Sequence, residues 1–332
     1  VWLSWAAQRS KPDPAEDRAT WRSCAKPGPV KSGTLFGVAK DHGWRPDPDA
    51  DPAVRSAPAE LAAQRAARRE AEERAQREAE ERQRQAAPEA LALWERAADL
   101  TDPAGAPYLR RKGVQPFGVR GLPDGSLIVP ARTAAGELVG VQVIKPERPA
   151  DGSPEKMFVR GARKSGTLHL IGETEGARWL LVAEGYATAA SVHEATGRPV
   201  AVAWDAGNLA HVVRALRGRY PAARLAVCGD DDSATEARTG KNPGRLKATE
   251  AARLAKGPAI FPAALPPGGS DFNDLHSSAG LDAVRELIEA ALQAAEADAE
   301  ASRPGSRTKA APAGNGGPAR AGSDDDASAR GP

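Results

Sequence analysis

The chain has 332 residues, with 46 basic and 44 acidic side chains and a formal net charge of +2. That near-neutral balance excludes a broad basic field, so any affinity for nucleic acid has to come from local clusters. The two cysteines, Cys24 and Cys228, are far apart and form no CxxC pair, which excludes a zinc ribbon and argues against a disulfide scaffold. The cysteine usage fits a reducing cytoplasm, and no apolar run approaches the ~20 residues that cross a bilayer. Abundant Ala, Gly and Pro with few aromatics imply a folded part smaller than the chain, with solvated segments around it.

The first residues, VWLSWAAQRS, carry no initiator Met and no signal-peptide pattern, and read as part of a longer polypeptide. Residues 1–45 are rich in tryptophan (Trp2, Trp5, Trp21, Trp44), and GTLFGVAKDHGW reads as a helix closed by Gly43. Together with AEDRATWRSC, that run resembles the end of a PriCT-2 domain, a helical module found beside primase domains in phage and plasmid replication proteins. Residues 46–57 read as a Pro/Asp linker and residues 58–86 as a helix of Ala, Glu, Gln and Arg, so that 46–87 form a linker and charged helix. Pairs such as Glu70–Arg74 and Glu78–Arg82 stand at i,i+4, each adding a few tenths of a kcal/mol. No Leu or Ile seam runs along this helix, so a solvated spacer is expected in place of a coiled coil.

Residues 88–176 change character. A helix ELALWERAADL after Pro88 and a second, YLRRK, ended by Gly113, lead into GSLIVPAR, ELVGVQVIK, EKMFVRG and SGTLHLIG. These short β-rich runs between Gly turns predict a small antiparallel sheet. Over 177–296, strands (WLLVAEG, PVAVAWD, RLAVCGDDD, PAIFP) alternate with helices (TAASVHEATG, NLAHVVRALRGRY, PGRLKATEAARLAKG, DAVRELIEAAL). Such alternation predicts an α/β fold with a mostly parallel sheet, helices on its faces and right-handed crossovers. Val284, Leu287, Ile288 and Leu292 mark the buried face of the last helix. Residues 297–332 are Gly, Ser, Pro, Ala and charge, and are expected to be disordered.

In a parallel sheet, functional groups gather at the carboxyl ends of the strands. Two strands here end in acids: Glu184-Gly185, and Asp230-Asp231-Asp232. Along an extended chain Asp230 and Asp232 point one way and Asp231 the other. Acids at strand ends also serve as helix caps. Several ionised carboxylates at one edge, however, are costly without a cation, and an all-oxygen site suits Mg²⁺ or Mn²⁺. Lys156, Arg160, Arg163 and Lys164 form a basic strip that fits phosphate, or is simply a solvated loop. His169, His193, His211 and His276 read as ordinary core or surface residues, approach to the acidic edge being the lesser alternative for His276, and Cys228 reads as buried and inert.

AEGYATAASV and AVCGDDD resemble the two signature motifs of the Toprim family, shared by bacterial-type primases, topoisomerases, OLD-type nucleases and recombination mediators. GKNPGRLKATEAA and PAALPPGGSDFNDLH narrow the resemblance to phage and plasmid Toprim primases of the TraC-like type, and it extends over about 87–292. That resemblance implies Glu184 as acid/base and metal ligand, Asp230 and Asp232 as metal ligands, and weaker metal roles for Asp271 and Asp274, with Asn273 equally a helix-cap residue. It implies a template groove upstream, with Arg132 and Lys145 as further basic members. The function implied is Mg²⁺-dependent synthesis of RNA primers from NTPs on a single-stranded DNA template, with a replicative helicase as partner. A Toprim nuclease and a non-catalytic nucleic-acid-binding fragment of a mobile element remain alternatives. A Walker A sequence is absent, and so is the zinc module that primases of this kind usually carry.

Overall fold

A computed structural model describes residues 52–302; the expected PriCT-2-like segment, the first part of the linker and most of the tail lie outside them. The described residues fall into two units, one ending at Glu81 and the other beginning at Arg82.

Helix α1 runs over Pro52–Arg96. In the first unit its side chains from residue 62 onward are nearly all exposed, with i,i+4 contacts Arg68–Glu72 and Gln76–Glu80, both 2.7 Å. The helix differs from the sequence expectation at both ends: it enters the proposed linker and passes through Pro88 without stopping. Proline in a helix interior costs about 3 kcal/mol. Here its ring is exposed, while Ala86, Ala90 and Ala97 are buried together with Ile128, Val141 and Val159, and Leu93 and Trp94 pack beside them. The spacing 86, 90, 93, 94, 97 is one helical stripe, and its burial holds the turn that proline weakens.

In the second unit a five-stranded antiparallel meander comes first: β1 (Ala98–Asp99), β2 (Arg120–Gly121), β3 (Leu127–Arg132), β4 (Leu138–Ile144) and β5 (Lys156–Phe158). Helix α2 (Pro107–Lys112) lies between β1 and β2 and ends at Gly113, whose φ of 63° is the left-handed cap that glycine tolerates best. The next strand, β6 (His169–Ile171), leaves the meander. It pairs antiparallel with β8 (Val200–Val202) in the second sheet, and a single bridge, Arg132–Leu168, ties its entry to β3. The expected antiparallel group is therefore one strand short at this end and gains β1 and β2, two-residue strands with no pattern to read.

The second sheet has the order β10-β9-β7-β8-β6, formed by β7 (Trp179–Ala183), β8 (Val200–Val202), β9 (Arg224–Cys228) and β10 (Ala259–Ile260) with β6 at its edge. All pairs except β6–β8 are parallel. The crossovers are α3 (Tyr186–Thr196), α4 (Leu209–Arg219), α5 (Ser233–Thr239) and α6 (Pro243–Ala255), and α7 (Phe272–Ala301) closes the chain with non-helical backbone at Gly280. β7 alternates between two cores, as a covered central strand must. Trp179, Leu181 and Ala183 join Val192, Val284, Ile288 and Leu292 on one side. Leu180 and Val182 join Val212, Leu216, Ala248 and Ala252 on the other. The first of these cores also takes in Leu127, Val129 and Ile144, so both sheets share it.

Candidate active site at the carboxyl edge of the second sheet

Register sets the site. Ala183 pairs with Cys228 on one side and Val202 on the other, so the residues that follow all three strands emerge at one edge. Glu184 follows β7, Asp230 follows β9 by way of Gly229, and Asp205 follows β8 by way of Ala203 and Trp204.

Burial raises the pKa of Glu184 above the carboxylate range, and the charges of Asp232 and Asp205 add to the effect; the backbone amides of Ala206 and Asp230 work the other way. Asp230 is raised for the same reason: burial first, then Glu184, Asp271 and Asp232, against the pull of Lys156. Glu184 Oε1 and Asp230 Oδ1 are both buried without a hydrogen-bond donor. Unmet acceptors on crowded acids are what a hard cation would satisfy.

The rest of the triplet is held by α6. Asp232 Oδ2 accepts from Gly244 N at 2.8 Å. Asp231 turns away: Arg245 Nε lies 3.0 Å from its Oδ1 and Asn242 Nδ2 donates to it at 2.7 Å. Gly244 has to be glycine, because a Cβ there would stand 2.6 Å from Asp230 O and 3.0 Å from Asp232 Oδ2. Among the described residues, no three His, Cys, Asp or Glu groups close on a metal position as they stand. The fit rests instead on the two orphaned oxygens, and magnesium commonly uses only one or two carboxylates, filling its octahedron with water and substrate phosphate.

Asp271 and Asp274 form a capping box on α7. Asp271 accepts from Asn273 N at 2.7 Å and Asp274 N at 2.9 Å, while Asp274 Oδ2 accepts from Ser270 N at 2.8 Å. Asp271 still bears on Asp230 and Lys156, whereas Asp274 is turned back onto its own loop. Asn273 is a clamp and not the cap: buried, it donates to Lys112 O at 2.7 Å and Ser191 Oγ at 3.0 Å. His276 joins Ser191 at 3.0 Å rather than the acidic edge.

The expected basic strip divides. The Lys156 ammonium lies 3.6 Å from the place a Cβ on Gly185 would occupy, beside the Glu184 turn. Lys164 is ion-paired with Asp205 and stands 5.7 Å from the centroid of Phe158, which meets Trp204 edge-on at 5.2 Å. Arg160 and Arg163 are exposed in the β5–β6 loop. Arg132 is elsewhere, donating to Gly136 O at 3.0 Å and lying 5.7 Å from the Trp94 ring. Lys145 bonds Ser153 Oγ at 3.1 Å.

Burial lowers His169 to about 4, with Nε2 2.7 Å from Phe117 O, and pushes the Cys228 thiol up to about 12. Both are core groups, in line with the reading from sequence.

Asp205 was missed, although the signal was there: PVAVAWD also ends in an acid. Its neighbour Trp204 has a φ of 76°, a left-handed conformation rare for a bulky residue and a strained one at a site. The indole Nε1 donates to Thr167 O at 2.9 Å and helps hold it there.

This edge, with Glu184-Gly185 after one strand and Asp230-x-Asp232 after its parallel neighbour, fits the Toprim resemblance of the sequence. Residues 179–282 match the family model described as "Toprim domain". Two relatives, both named "DNA primase TraC" and both from Escherichia coli, are 40% identical over 168 residues and 39% identical over 161. These matches take up 49% and 47% of this chain and only 15% and 11% of the relatives' lengths. Among solved structures, the DnaG primase catalytic domain bound to ssDNA aligns with 17% identity and a TM-score of 0.42, over 66% of this chain and 83% of that one. The primase fragment of the bacteriophage T7 primase-helicase aligns with 18% identity and a TM-score of 0.35, over 55% and 69%.

Proposed function

We infer that this chain carries the catalytic core of a DNA primase, which joins NTPs into a short RNA primer on single-stranded DNA in phage or plasmid replication, with a replicative helicase as partner. The observation that carries this reading is the pair of orphaned buried oxygens, Glu184 Oε1 and Asp230 Oδ1, at the edge where three strands end in acids. Identity of about 40% to relatives named as primases favours primer synthesis among the Toprim chemistries. The chain spans about a seventh or less of those relatives, so the activity is proposed for this segment on its own residues.

Asp230 and Asp232, with Glu184, would hold Mg²⁺ or Mn²⁺, Asp271 standing behind them. The ion, when bound, supplies charge to the transferring phosphoryl group. Glu184 takes the proton of the attacking 3′-hydroxyl; its raised pKa brings it closer to working pH, as suits a general base. The 3′-oxygen then bonds to the α-phosphorus and pyrophosphate leaves. Lys156 holds a phosphate beside this edge, Lys164 steadies Asp205, and Arg160 and Arg163 meet the DNA backbone at the exposed rim.

The test is incubation with ssDNA, labelled NTPs and Mg²⁺, read for both extension and cleavage. Extension that falls ~10²–10⁴-fold in Glu184→Gln is expected. Cleavage alone would make it a nuclease, and binding with neither activity would leave a nucleic-acid-binding fragment. Calorimetry should show divalent-ion binding lost in Asp230→Asn/Asp232→Asn; retained binding would remove these ligands.

A further inference from the structure

Four buried side-chain oxygens among the described residues have no hydrogen-bond partner: Glu184 Oε1, Asp230 Oδ1, Asn273 Oδ1 and the hydroxyl of Tyr108. The two carboxylates belong to the site already described and Asn273 to the clamp beside it. Tyr108 has no such assignment. It lies on α2, fully buried, where an unmade hydrogen bond costs about 1–3 kcal/mol. Phenylalanine would fill the same space without that cost.

Its surroundings suggest what the hydroxyl does. The ring sits between two cations, with the Lys156 ammonium and the Arg111 guanidinium each 5.5 Å from its centroid. Arg111 is fixed: it pairs with Glu155 and donates from Nη1 to Pro146 O at 2.8 Å, locking α2 onto the start of β5. The ring itself is held beside Lys156 by its complete burial. The same ammonium reaches the Glu184-Gly185 turn. Burial acts to lower its pKa, but Tyr108, Glu155 and Asp271 together hold it above the ordinary lysine value, so Lys156 is charged at this edge. The hydroxyl already acts on the ammonium as a hydrogen-bonding neighbour that favours its charged form, although no full hydrogen bond is closed at the hydroxyl.

We propose that Tyr108 is a positioning residue for Lys156: its hydroxyl accepts one ammonium proton when Lys156 turns to a phosphate group of an incoming nucleoside triphosphate. An ammonium has three donors. One held by Tyr108 fixes the direction of the other two, which then meet phosphate oxygens instead of sweeping a cone. The role rests on the reading of Lys156 as a phosphate-binding residue of the primase core. The unmet hydroxyl is a stability cost carried for the loaded state, of the kind that clusters where ligands bind.

The test uses the full chain and the variants Tyr108→Phe, Lys156→Ala and the double variant. Calorimetry with a non-hydrolysable nucleoside triphosphate and Mg²⁺ reads one phosphate source, and fluorescence anisotropy with ssDNA reads the other. Tyr108→Phe should melt at the same temperature or higher, and bind triphosphate ~10-fold more weakly, the size of one hydrogen bond to a charged group, with ssDNA affinity unchanged. On the Lys156→Ala background it should change nothing further. A lowered melting temperature would make the hydroxyl structural and overturn the proposal. So would unchanged triphosphate affinity, or a loss confined to ssDNA. Triphosphate affinity unchanged in Lys156→Ala would instead remove the reading of Lys156 on which this one stands.

Discussion

Asp230 and Glu184 are held close to one another and both are raised above the ordinary carboxylate range, by burial first and by neighbouring acids second. The folded protein thus binds protons on these groups that the unfolded chain, with carboxylates near 4, has released. A folded pKa above the unfolded one contributes stability that is complete below the unfolded value and is lost as pH rises through the folded one. Without divalent ions, the melting temperature should fall between about pH 5 and about pH 9. Asp230→Asn should flatten that fall and melt a few degrees higher at the alkaline end, ~2–4 °C for each 1 kcal/mol of relief. A wild-type melting temperature that rises over this range would mean that the acids are not crowded. Glu184, Asp230 and Asp232 were legible because each follows an apolar run with turn residues beside it. Tyr108 was not, since YLRRKG reads as any short amphipathic helix and nothing in it announces a hydroxyl left without a partner.

At the scale of elements, the contact between α6 and the Asp230–Asp232 loop decides how the acids are held. Gly244→Ala would set a methyl 2.6 Å from Asp230 O, so the loop or the helix has to move. We expect a loss of ~1–3 kcal/mol, as for other overpacked positions, together with weaker Mn²⁺ binding. Melting and calorimetry on one preparation check both, and an unperturbed variant would show that the loop tolerates displacement. The strands and helices from 179 onward were readable because continuous apolar runs alternate with amphipathic ones, a pattern only a covered parallel sheet requires. Three features were not. β1 and β2 are too short to carry a period. HLI alternates as well for one sheet as for another, so its partner β8 is set by tertiary contact. Pro88 looked like a boundary because local chemistry says so, and the stripe 86–97 overrides it through burial.

For the molecule, burial of Ala86 and the approach of Arg82 O to Gly161 place the last turns of α1 with the sheet they cover. A version that starts at residue 82 should therefore be more stable than one that starts at Pro88, by roughly 1 kcal/mol for the buried methyl alone; equal denaturation midpoints would detach those turns from the core. Both sheets should melt in one transition, since one cluster of side chains joins Leu127 and Ile144 to Leu181 and Ile288. The position of β6 bears on what can be inherited or exchanged among relatives of this chain. It comes from the upstream segment yet completes the downstream sheet, so a recombination point just before Trp179 would not trade a module cleanly. The recipient would acquire the acids with β8 as a bare edge, open to pairing with other copies. A viable graft has to begin before His169, and ancestry that shuffled these segments should carry its joints upstream of that strand.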